Sequence, residues 1–377
     1  MRALVQLVMA ACVMAGYTHA MIYYVDTQGD DSQPGSAGAP FRTLMRGVLA
    51  AGPGDIVLVR DGVYGHENAV TAGDSPNGEA SPVVLLNSGA PDAWIVIKAE
   101  HKWGATLDCE MLCDAYIDLR NASCVEIQDF VITGGYKEGI HSNDAAHNII
   151  LRGNRIEFIG NRSTSTSFGL DGMYTNPNCY GFLIDGNVFH DIGRIGPSQL
   201  DHGLYLQGSN FTITNNVFYN ITSGWSIQMA DGLTDVLIAN NTFAFPNQGG
   251  RGGQIMMWNT QSNVVIENNL FYEPIGYAIA RFRSSVSNCG INHNLVFGAS
   301  GMMANSSGCT LDTANQIGSD PMFVNASSQP YDFHLQANSP AIGGGVSIPG
   351  VIADSQGILV SVSAPDIGAY AFVPAAP

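Results

Sequence analysis

The stretch SNFTITNNVFYN, residues 209–220, is followed one repeat later by TDVLIANNTFAF, residues 234–245. Three further copies of the pattern are HNIILRGNRIEF (147–158), CYGFLIDGNVFH (179–190) and SNVVIENNLFYE (262–273). Each copy has alternating apolar residues, then a Gly-Asn or Asn-Asn pair, then in most copies an aliphatic and an aromatic residue. Self-similarity at a short period of roughly 30 residues is typical of solenoid proteins.

A second, shorter strand type lies between these copies, as in EGIHSND (138–144), DGMYTN (171–176) and HGLYLQG (202–208). Short strands of this kind cannot each bury an apolar face alone, but stacked parallel coils bury a continuous apolar column. The sequence therefore predicts an all-β, single-domain, right-handed parallel β-helix, with its handedness taken from the general crossover preference. The repeated Asn suits a left-handed turn position and a ladder of side-chain hydrogen bonds along the stack.

The two ends of such a stack need covers, because open strand edges pair with other chains. Residues 41–51 have the apolar spacing of a helix, and we expect this short helix to cap the N-terminal end. The domain division that we predict is a signal peptide over 1–20, an N-terminal cap and first coil over 21–66, β-helix coils over 67–319, and a C-terminal cap over 320–377.

Charge and the N-terminal segment indicate where the protein works. Residues 1–20 read as an export signal, with one arginine before a short apolar run, so we expect a secreted or periplasmic protein. No later apolar run reaches the length of a membrane helix, so we expect no membrane insertion. The net charge is −17, which disfavours nucleic acid as a partner. We expect a monomer.

Six cysteines follow the predicted signal sequence, and an exported protein can use them for disulfides. Cys289 and Cys309 lie about one repeat apart, so stacked coils could bring them together. Cys109, Cys113 and Cys124 form a second cluster. We favour structural disulfides or buried thiols over a metal site, because no pair of CxxC motifs is present.

The two ends of the chain resemble those of known proteins. The opening, YYVDTQGDDSQPGSAGAPFRTL (23–44) and AGPGDIVLVRDGVY (51–64), looks like the start of many secreted β-helix carbohydrate enzymes. It is similar to the polysaccharide lyases that act on pectate, alginate and dermatan-type chains, and a few β-helix glycosidases start similarly. The close, with DPMFVN (320–325) and DIGAY (366–370), looks like their tail, and the middle resembles the coil modules of mannuronate epimerases. No catalytic motif of a named family is intact, so no site residue is taken over from one.

The predicted stack brings chemically active side chains together on an outer wall, since equivalent positions in neighbouring coils lie about 4.8 Å apart. One column comprises Glu138, Asp171 and His202, with Asp201 beside it. A second comprises His141, Tyr174, Tyr205, Ser226 and Gln254, and a third includes Gln207 and Gln228. Long insertions at 159–171 and 190–201 would wall this region. A polar, solvated face without function is the alternative.

The first functional hypothesis is β-elimination, or C5-epimerisation, on a uronate-containing polysaccharide. Both need a base for the proton beside the carboxylate, and elimination also needs an acid for the leaving oxygen. We assign His202 and Tyr205 to these roles, with Tyr174 or His141 in support, and Asp171, Asp201 and Glu138 nearby. The predicted substrate-binding residues are Arg281, Arg283, Lys137, Gln207, Gln228, Arg251 and Trp258.

Calcium is retained as a candidate cofactor, because Asp171, Asp201 and Glu138 offer the oxygen ligands that Ca²⁺ takes. No calcium-loop motif is present, so no metal ligand set is assigned.

Two other functions stay open. Glycoside hydrolysis would use paired carboxylates: Glu138 and Asp171 on adjacent rungs, or Glu138 and Asp201 two rungs apart, span the separations of retaining and inverting enzymes. The negative charge of the chain also suits a neutral sugar. A carbohydrate-binding β-helix without catalysis is the third reading, and an aromatic lane without acids or bases would mark it.

Overall fold

The structure, a computed structural model, describes residues 20–67, 70–71, 79–142, 144–161, 163, 168–194, 199–245 and 252–374. The predicted signal sequence, except residue 20, lies outside these ranges, and so does Arg251. In the described part of the chain, short parallel strands wind into three rows around one apolar core.

Each row stacks one strand from every coil. The first row contains Val83–Val84, Ile117–Asp118, Glu138–Ser142, Asp171–Thr175, His202–Leu206, Ile227–Met229, the start of Ile255–Glu267, the start of Tyr277–Asn292, and Gly301–Met303. The second row contains Ile22–Val25, Ile56–Val59, Ile95–Ala99, Ser123–Gln128, His147–Arg152, Tyr180–Asp185, Ser209–Thr214, Leu233–Ala239, the ends of the two long strands, and Cys309–Leu311. The third row contains Gly62–Tyr64, Ala105–Asp108, Val131–Thr133, Arg155–Glu157, Val188–Ile192, Val217–Ile221, Thr242–Ala244, Leu270–Tyr272, Leu295–Phe297 and Gln316–Ile317.

Four of the five copies of the repeat place an aromatic residue in the core. Phe189, Phe218, Phe243 and Phe271 stack in sequence, with ring centroids 4.9, 5.1 and 4.9 Å apart. All four side chains are fully buried. Offset stacking at this spacing adds to the burial of apolar surface and fixes the register between coils. The predicted right-handed parallel β-helix is confirmed.

The two residues of each Gly-Asn or Asn-Asn pair have different roles. The first residue takes the left-handed conformation, as in Gly186 (φ 66°) and Asn215 (φ 59°). The second residue belongs to the ladder: the Oδ1 of Asn216 accepts from the backbone N of Asn187 at 2.9 Å and from its Nδ2 at 3.0 Å. The same bonds continue through later coils to Asn241, Asn269, Asn294 and Asn315. The ladder therefore satisfies buried polar groups at the turns between the second and third rows from Asn154 to Asn315.

The predicted N-terminal helix spans Leu44–Ala50 and covers the end of the stack. It begins after Thr43, whose Oγ1 accepts a hydrogen bond from the backbone N of Arg46 at 3.2 Å. This is an N-cap of the preferred residue type. Gly47 allows the close approach, because a Cβ there would lie 2.8 Å from methyl groups of Val25 and Val57.

The C-terminal segment does more than close the far end. After the antiparallel pair Phe323–Asn325 and Asp332–Leu335, the chain returns along the side of the coils. A second apolar cluster forms there between this segment and the third row, including Phe333, Ala341, Ile367, Leu270 and Leu295. The predicted domain boundaries themselves stay predictions.

Two disulfides join neighbouring parts of the coils. Cys289 pairs with Cys309 on adjacent rungs, a pairing that the repeat spacing allows, and Cys109 pairs with Cys113. Cys124 and Cys179 are buried free thiols. In the part of the chain that the structure describes, no helix has the length and apolar character needed to cross a membrane.

Candidate functional site

Three ionisable residues begin successive strands of the first row. Glu138 pairs in register with Asp171, and Asp171 with His202. Each is followed by a glycine because the backbones approach closely there: a Cβ on Gly172 would lie 2.6 Å from the carbonyl oxygen of Gly203. All three ionisable side chains are buried. The predicted column therefore exists, and it lies at the base of the wall rather than on its surface.

Three rings form a stacked outward column beside these residues. His141 lies 5.5 Å from Tyr174, and Tyr174 lies 5.5 Å from Tyr205, measured between ring centroids. The strand positions also pair in register. The side chain of His141 is 20% exposed, and both tyrosines are half-buried. Rings on the wall thus remain within reach of a ligand.

The continuation of that column differs from the prediction. Tyr205 pairs with Gln228 and Gln228 with Met256, so Ser226 and Gln254 are not in the column. The shift is two residues. A two-residue shift leaves each side chain on the same face, so apolar alternation in the sequence does not reveal it.

Glu138 and His141 form a close pair at one end of the cluster. The Nδ1 of His141 lies 3.4 Å from Oε2 of Glu138. Burial lowers the pKa of His141, but the neighbouring carboxylates of Glu138 and Asp118 outweigh burial and raise this pKa above its ordinary value. The arrangement favours a histidine whose Nδ1 faces a carboxylate and whose Nε2 is left for a substrate.

Asp171 lies between two other carboxylates in a dry environment. Burial raises the pKa of Asp171 well above its ordinary value, and the charges of Glu138 and Asp201 raise it further. Its Oδ1 accepts a hydrogen bond from the backbone N of His202 at 3.0 Å, which acts in the opposite direction. The net effect favours a neutral carboxylic acid, which can donate a hydrogen bond.

Asp201 is engaged with Arg194 and is fully buried. Arg194 binds it through Nε at 3.1 and 3.0 Å and through a terminal nitrogen at 2.7 Å. Ser223 donates to the same carboxylate at 2.6 Å. A carboxylate held in this way is suited to shaping the 190–201 insertion and not to proton transfer. Its catalytic assignment stays a prediction that this geometry does not favour.

His202 is similarly enclosed, with 1% of its surface exposed. The Nδ1 of His202 accepts a hydrogen bond from the backbone N of Trp225 at 3.1 Å, and the two rings stack at 5.6 Å. Burial lowers the pKa of His202 to about 3. The ring is therefore neutral and its accepting nitrogen is occupied. Its assignment as the base also stays a prediction, and the Trp225 hydrogen bond weighs against it.

The two tyrosines keep their protons. Burial raises the pKa of Tyr174 and of Tyr205, and nearby carboxylates add to the effect in both cases. The Nε2 of Gln207 lies 3.5 Å from the hydroxyl of Tyr174. The cluster thus holds two phenol donors beside an amide.

The remaining predicted binding residues lie around the cluster. Lys137 contacts Asp114 at 3.3 Å and lies over the ring of Phe168. Gln228 is buried, in register with Tyr205. Trp258 lies farther along the stack, where its ring stacks on Phe282 at 4.6 Å.

The two arginines differ from each other. Arg281 donates to the carbonyl oxygens of Asn305 and Ser307 at 3.0 and 2.6 Å. Arg283 is exposed, with its guanidinium 5.2 Å from the ring of Phe282. Both arginines lie on a strand three rungs beyond that of His202, about 14 Å along the stack. They are therefore peripheral to the cluster.

Sequence reasoning missed the two residues that organise the interior of the site. Arg194 lies in an insertion that the sequence marks only by its length, and Trp225 reads as a core residue of the next strand. A carboxylate predicted beside a buried strand needs a cation as its partner. Asp201 could therefore have pointed to Arg194, the arginine in the insertion before it. Nowhere in the described residues do three or more His, Cys, Asp or Glu side chains come together in a way that could hold a metal ion.

Comparisons with known proteins agree with this fold. A family described as proteins of unknown function, DUF1565, matches residues 27–84. The crystal structure of pectate lyase Pel9A is similar, with 15% identity and a TM-score of 0.58, over 94% of this chain and 96% of that one. A rhamnogalacturonan lyase has 14% identity and a TM-score of 0.48, over 82% and 91% of the two chains. No curated protein sequence matches the chain. At these identities the likeness concerns the fold alone.

Proposed function

We propose that this protein is a polysaccharide-active enzyme that cleaves a uronate-containing glycan by β-elimination. The observation that carries the proposal is the outward column of His141, Tyr174 and Tyr205, with Glu138 behind the histidine. It supplies a base and phenol acids on one accessible wall. The β-helix lyases named above have a similar scaffold, which supports this reaction class without specifying residues.

The reaction assigns one role to each group. The Nε2 of His141 removes the proton from the carbon beside the substrate carboxylate, while Glu138 stabilises the resulting imidazolium. Tyr205 or Tyr174 donates a proton to the departing glycosidic oxygen as the carbon–oxygen bond breaks. The amide of Gln207 can donate a hydrogen bond to the enolate. Asp171, buried behind the rings as a neutral acid, adds no negative charge that would oppose the enolate. The products are an unsaturated uronate and a new reducing end.

The test is an assay of the mature protein against pectate, alginate, glycosaminoglycan and neutral glycans. Ultraviolet absorbance of the unsaturated uronate and new reducing ends are followed together. We expect both signals on at least one acidic glycan. The variant His141→Gln should lower the rate by about 10²-fold or more, as removal of a general base does.

The matched control is His147→Gln. His147 also stacks on a tyrosine, Tyr180, at 4.6 Å, but it lies on the second row outside the cluster. We expect its rate to remain that of the parent. Equal activity of the His141 and His147 variants would contradict the proposal, and so would the absence of unsaturated product on every acidic glycan.

Epimerisation would begin with the same proton removal and would return a proton to the opposite face. It would leave chain length unchanged, with neither absorbance nor reducing ends. Nuclear magnetic resonance of the treated polymer would detect the inverted uronate.

Glycoside hydrolysis is the second candidate, because Glu138 and Asp171 lie on adjacent rungs. One rung is about 5 Å, close to the carboxylate separation of retaining glycosidases. The raised pKa of Asp171 also suits a general acid. Reducing ends without ultraviolet absorbance would favour this reaction over elimination. Binding without either product would favour a carbohydrate-binding module.

A further inference from the structure

A cleft lies on a different face of the coils from the site cluster. It is bounded by the outer face of the second row and by residues 349–357 of the C-terminal segment, and its volume is about 730 Å³. All residues around it belong to the described ranges. Ligand-binding cavities commonly have volumes of about 300–1,000 Å³. We propose that this cleft is a second binding site and that its ligand is a neutral saccharide.

The floor of the cleft is a fixed ladder of charges. Arg152 donates to Glu126 on the preceding rung at 3.0 Å and binds Asp185 on the following rung. Asp185 also accepts from Thr214 at 2.9 Å and from Asn215 at 2.8 Å. Because Arg152 is already paired with two carboxylates, the floor is preorganised and this cation is not spare for an acidic sugar.

The walls offer both apolar and hydroxyl surface. Leu183 and Thr212 are register neighbours that face outward and are half-buried. Ile352 stands on the opposite wall and is 71% exposed. An aliphatic surface next to polar groups matches a sugar ring, which has C–H groups on its faces and hydroxyls at its edge.

One polar atom in the lining lacks a partner. Asn215 is 4% exposed, and its Oδ1 makes no hydrogen bond within the described part of the protein. Its Nδ2 donates to Asp185 at 2.8 Å and to the carbonyl oxygen of Ala353 at 3.1 Å, so the orientation of the amide is fixed. Buried acceptors in folded proteins are normally satisfied. A hydroxyl of a bound sugar is a donor of the required kind.

The wall formed by residues 349–357 is folded on itself and is tied to the coils through the carbonyl oxygen of Ala353, which accepts from Asn215. The backbone N of Asp354 donates to Ile358, and that of Val360 donates to Ile352. The carboxylate of Asp354 accepts from the backbone N of Ala371 at 2.8 Å. The cleft is therefore a built feature of the C-terminal segment.

The negative charge around the cleft favours a neutral sugar over an acidic one. The chain has a net charge of −17, and Asp129 also lines the cleft. Lys102 lies within the lining too, but it lies 5.0 Å from the ring of Trp103 and near the carbonyl oxygen of Ser355. A uronate would meet this acidic surface without a dedicated partner, whereas a neutral saccharide avoids the repulsion.

The experiment measures binding, so it does not depend on the proposed reaction. The parent is the full chain carrying His141→Gln, which should slow any turnover by about 10²-fold or more. Affinity electrophoresis is performed in gels containing xyloglucan, galactomannan, mixed-linkage β-glucan, polygalacturonate or alginate. We expect retardation in at least one neutral gel. Thr212→Trp fills the cleft and should weaken that binding by about tenfold or more.

The matched control is Leu237→Trp. Leu237 is the register neighbour of Thr212 on the next rung, has similar exposure, and lies outside the cleft lining. Its binding should stay within about twofold of the parent, because the added ring lies outside the cleft. Thermal unfolding of both variants verifies that each is folded.

Three results would overturn the proposal: no retardation in any neutral gel, equal effects of the two tryptophan variants, or retardation in acidic gels alone. If Thr212→Trp proves unstable, Leu183→Ala is measured instead, and unchanged binding by that variant counts against the site. Loss of elimination activity in separate assays would concern the proposed function only.

Discussion

Glu138 acts on the chemistry through its neighbour His141. Its carboxylate favours the imidazolium, so the net pKa of His141 is raised despite burial. A base with a raised pKa becomes available only as the pH rises past that value, so activity should increase with pH above the ordinary imidazole range, near 6.5. Replacing Glu138 by Gln removes the carboxylate and should lower the pKa of His141. We therefore expect the rising limb of the pH–rate profile to move to lower pH.

The control for this shift is Glu110→Gln, an exposed carboxylate outside the cluster. Titration of the His141 ring by nuclear magnetic resonance gives the pKa independently of turnover. A profile that stays in place while the ring pKa falls would show that another group is the base.

The type of a residue did not determine its role in the site. His202 and His141 are both histidines at strand positions on the first row, and nothing in their sequence context favoured His141. The backbone N of Trp225 occupies the nitrogen of His202, whereas the carboxylate of Glu138 faces that of His141. Trp225 belongs to the next coil, and the side chain of Glu138 turns toward His141 on the same strand. Only the folded chain shows these two contacts and so distinguishes the two rings.

The Asn ladder is the element that holds successive coils in register. Asn216 receives hydrogen bonds from Asn187 and donates to Ile184 and Asn241. Asn216→Ala would leave the backbone N of Asn187 and the carbonyl of Ile184 buried without these partners. Each such group costs about 1–3 kcal/mol, so we expect the free energy of unfolding to fall by about 3 kcal/mol. Denaturant titration measures this change.

Asn315→Ala is the matched comparison at the far end of the ladder. Asn315 has partly exposed surroundings, where water can replace the lost bonds. We expect a loss of about 1 kcal/mol there. Equal losses at Asn216 and Asn315 would mean that burial of the ladder is not what stabilises it.

At the level of strands, the repeats predicted the existence and face of each element but not every register. The strand Ile227–Met229 lies two residues from the predicted alignment with His202–Leu206. Apolar alternation has a period of two, so it is blind to such a shift. The bond between Trp225 and His202 depends on this alignment.

The second apolar cluster joins the coils to the C-terminal segment across the whole molecule. Phe333 is buried in the second apolar cluster, where it meets Tyr219, Phe245 and Phe323. Phe333→Ala should lower the free energy of unfolding by about 3–5 kcal/mol, as removal of a buried phenyl ring does. Because the cluster joins both parts, the fluorescence of the four tryptophans, all of which precede the C-terminal segment, should report the same lowered midpoint.

The comparison variant is Phe158→Ala, the same substitution at a side chain that is 43% exposed. We expect a change of about 0.5 kcal/mol or less. An early transition of the C-terminal segment, with the coil midpoint unchanged, would show that the two parts unfold separately.

The repeats in the sequence were enough to predict the parallel β-helix, the N-terminal helix and the proximity of Glu138, Asp171, His202 and the ring column. These features follow from local periodicity, because a repeat fixes which residues recur on one face of every coil. The cysteine spacing only allowed the Cys289–Cys309 pair and left the connectivity open. Three features are visible only in the folded chain. Arg194 donates hydrogen bonds to Asp201, the backbone N of Trp225 donates to His202, and the C-terminal segment forms a cleft over the second row. Those contacts join segments outside the repeat, where burial and hydrogen bonding depend on the path of the folded chain.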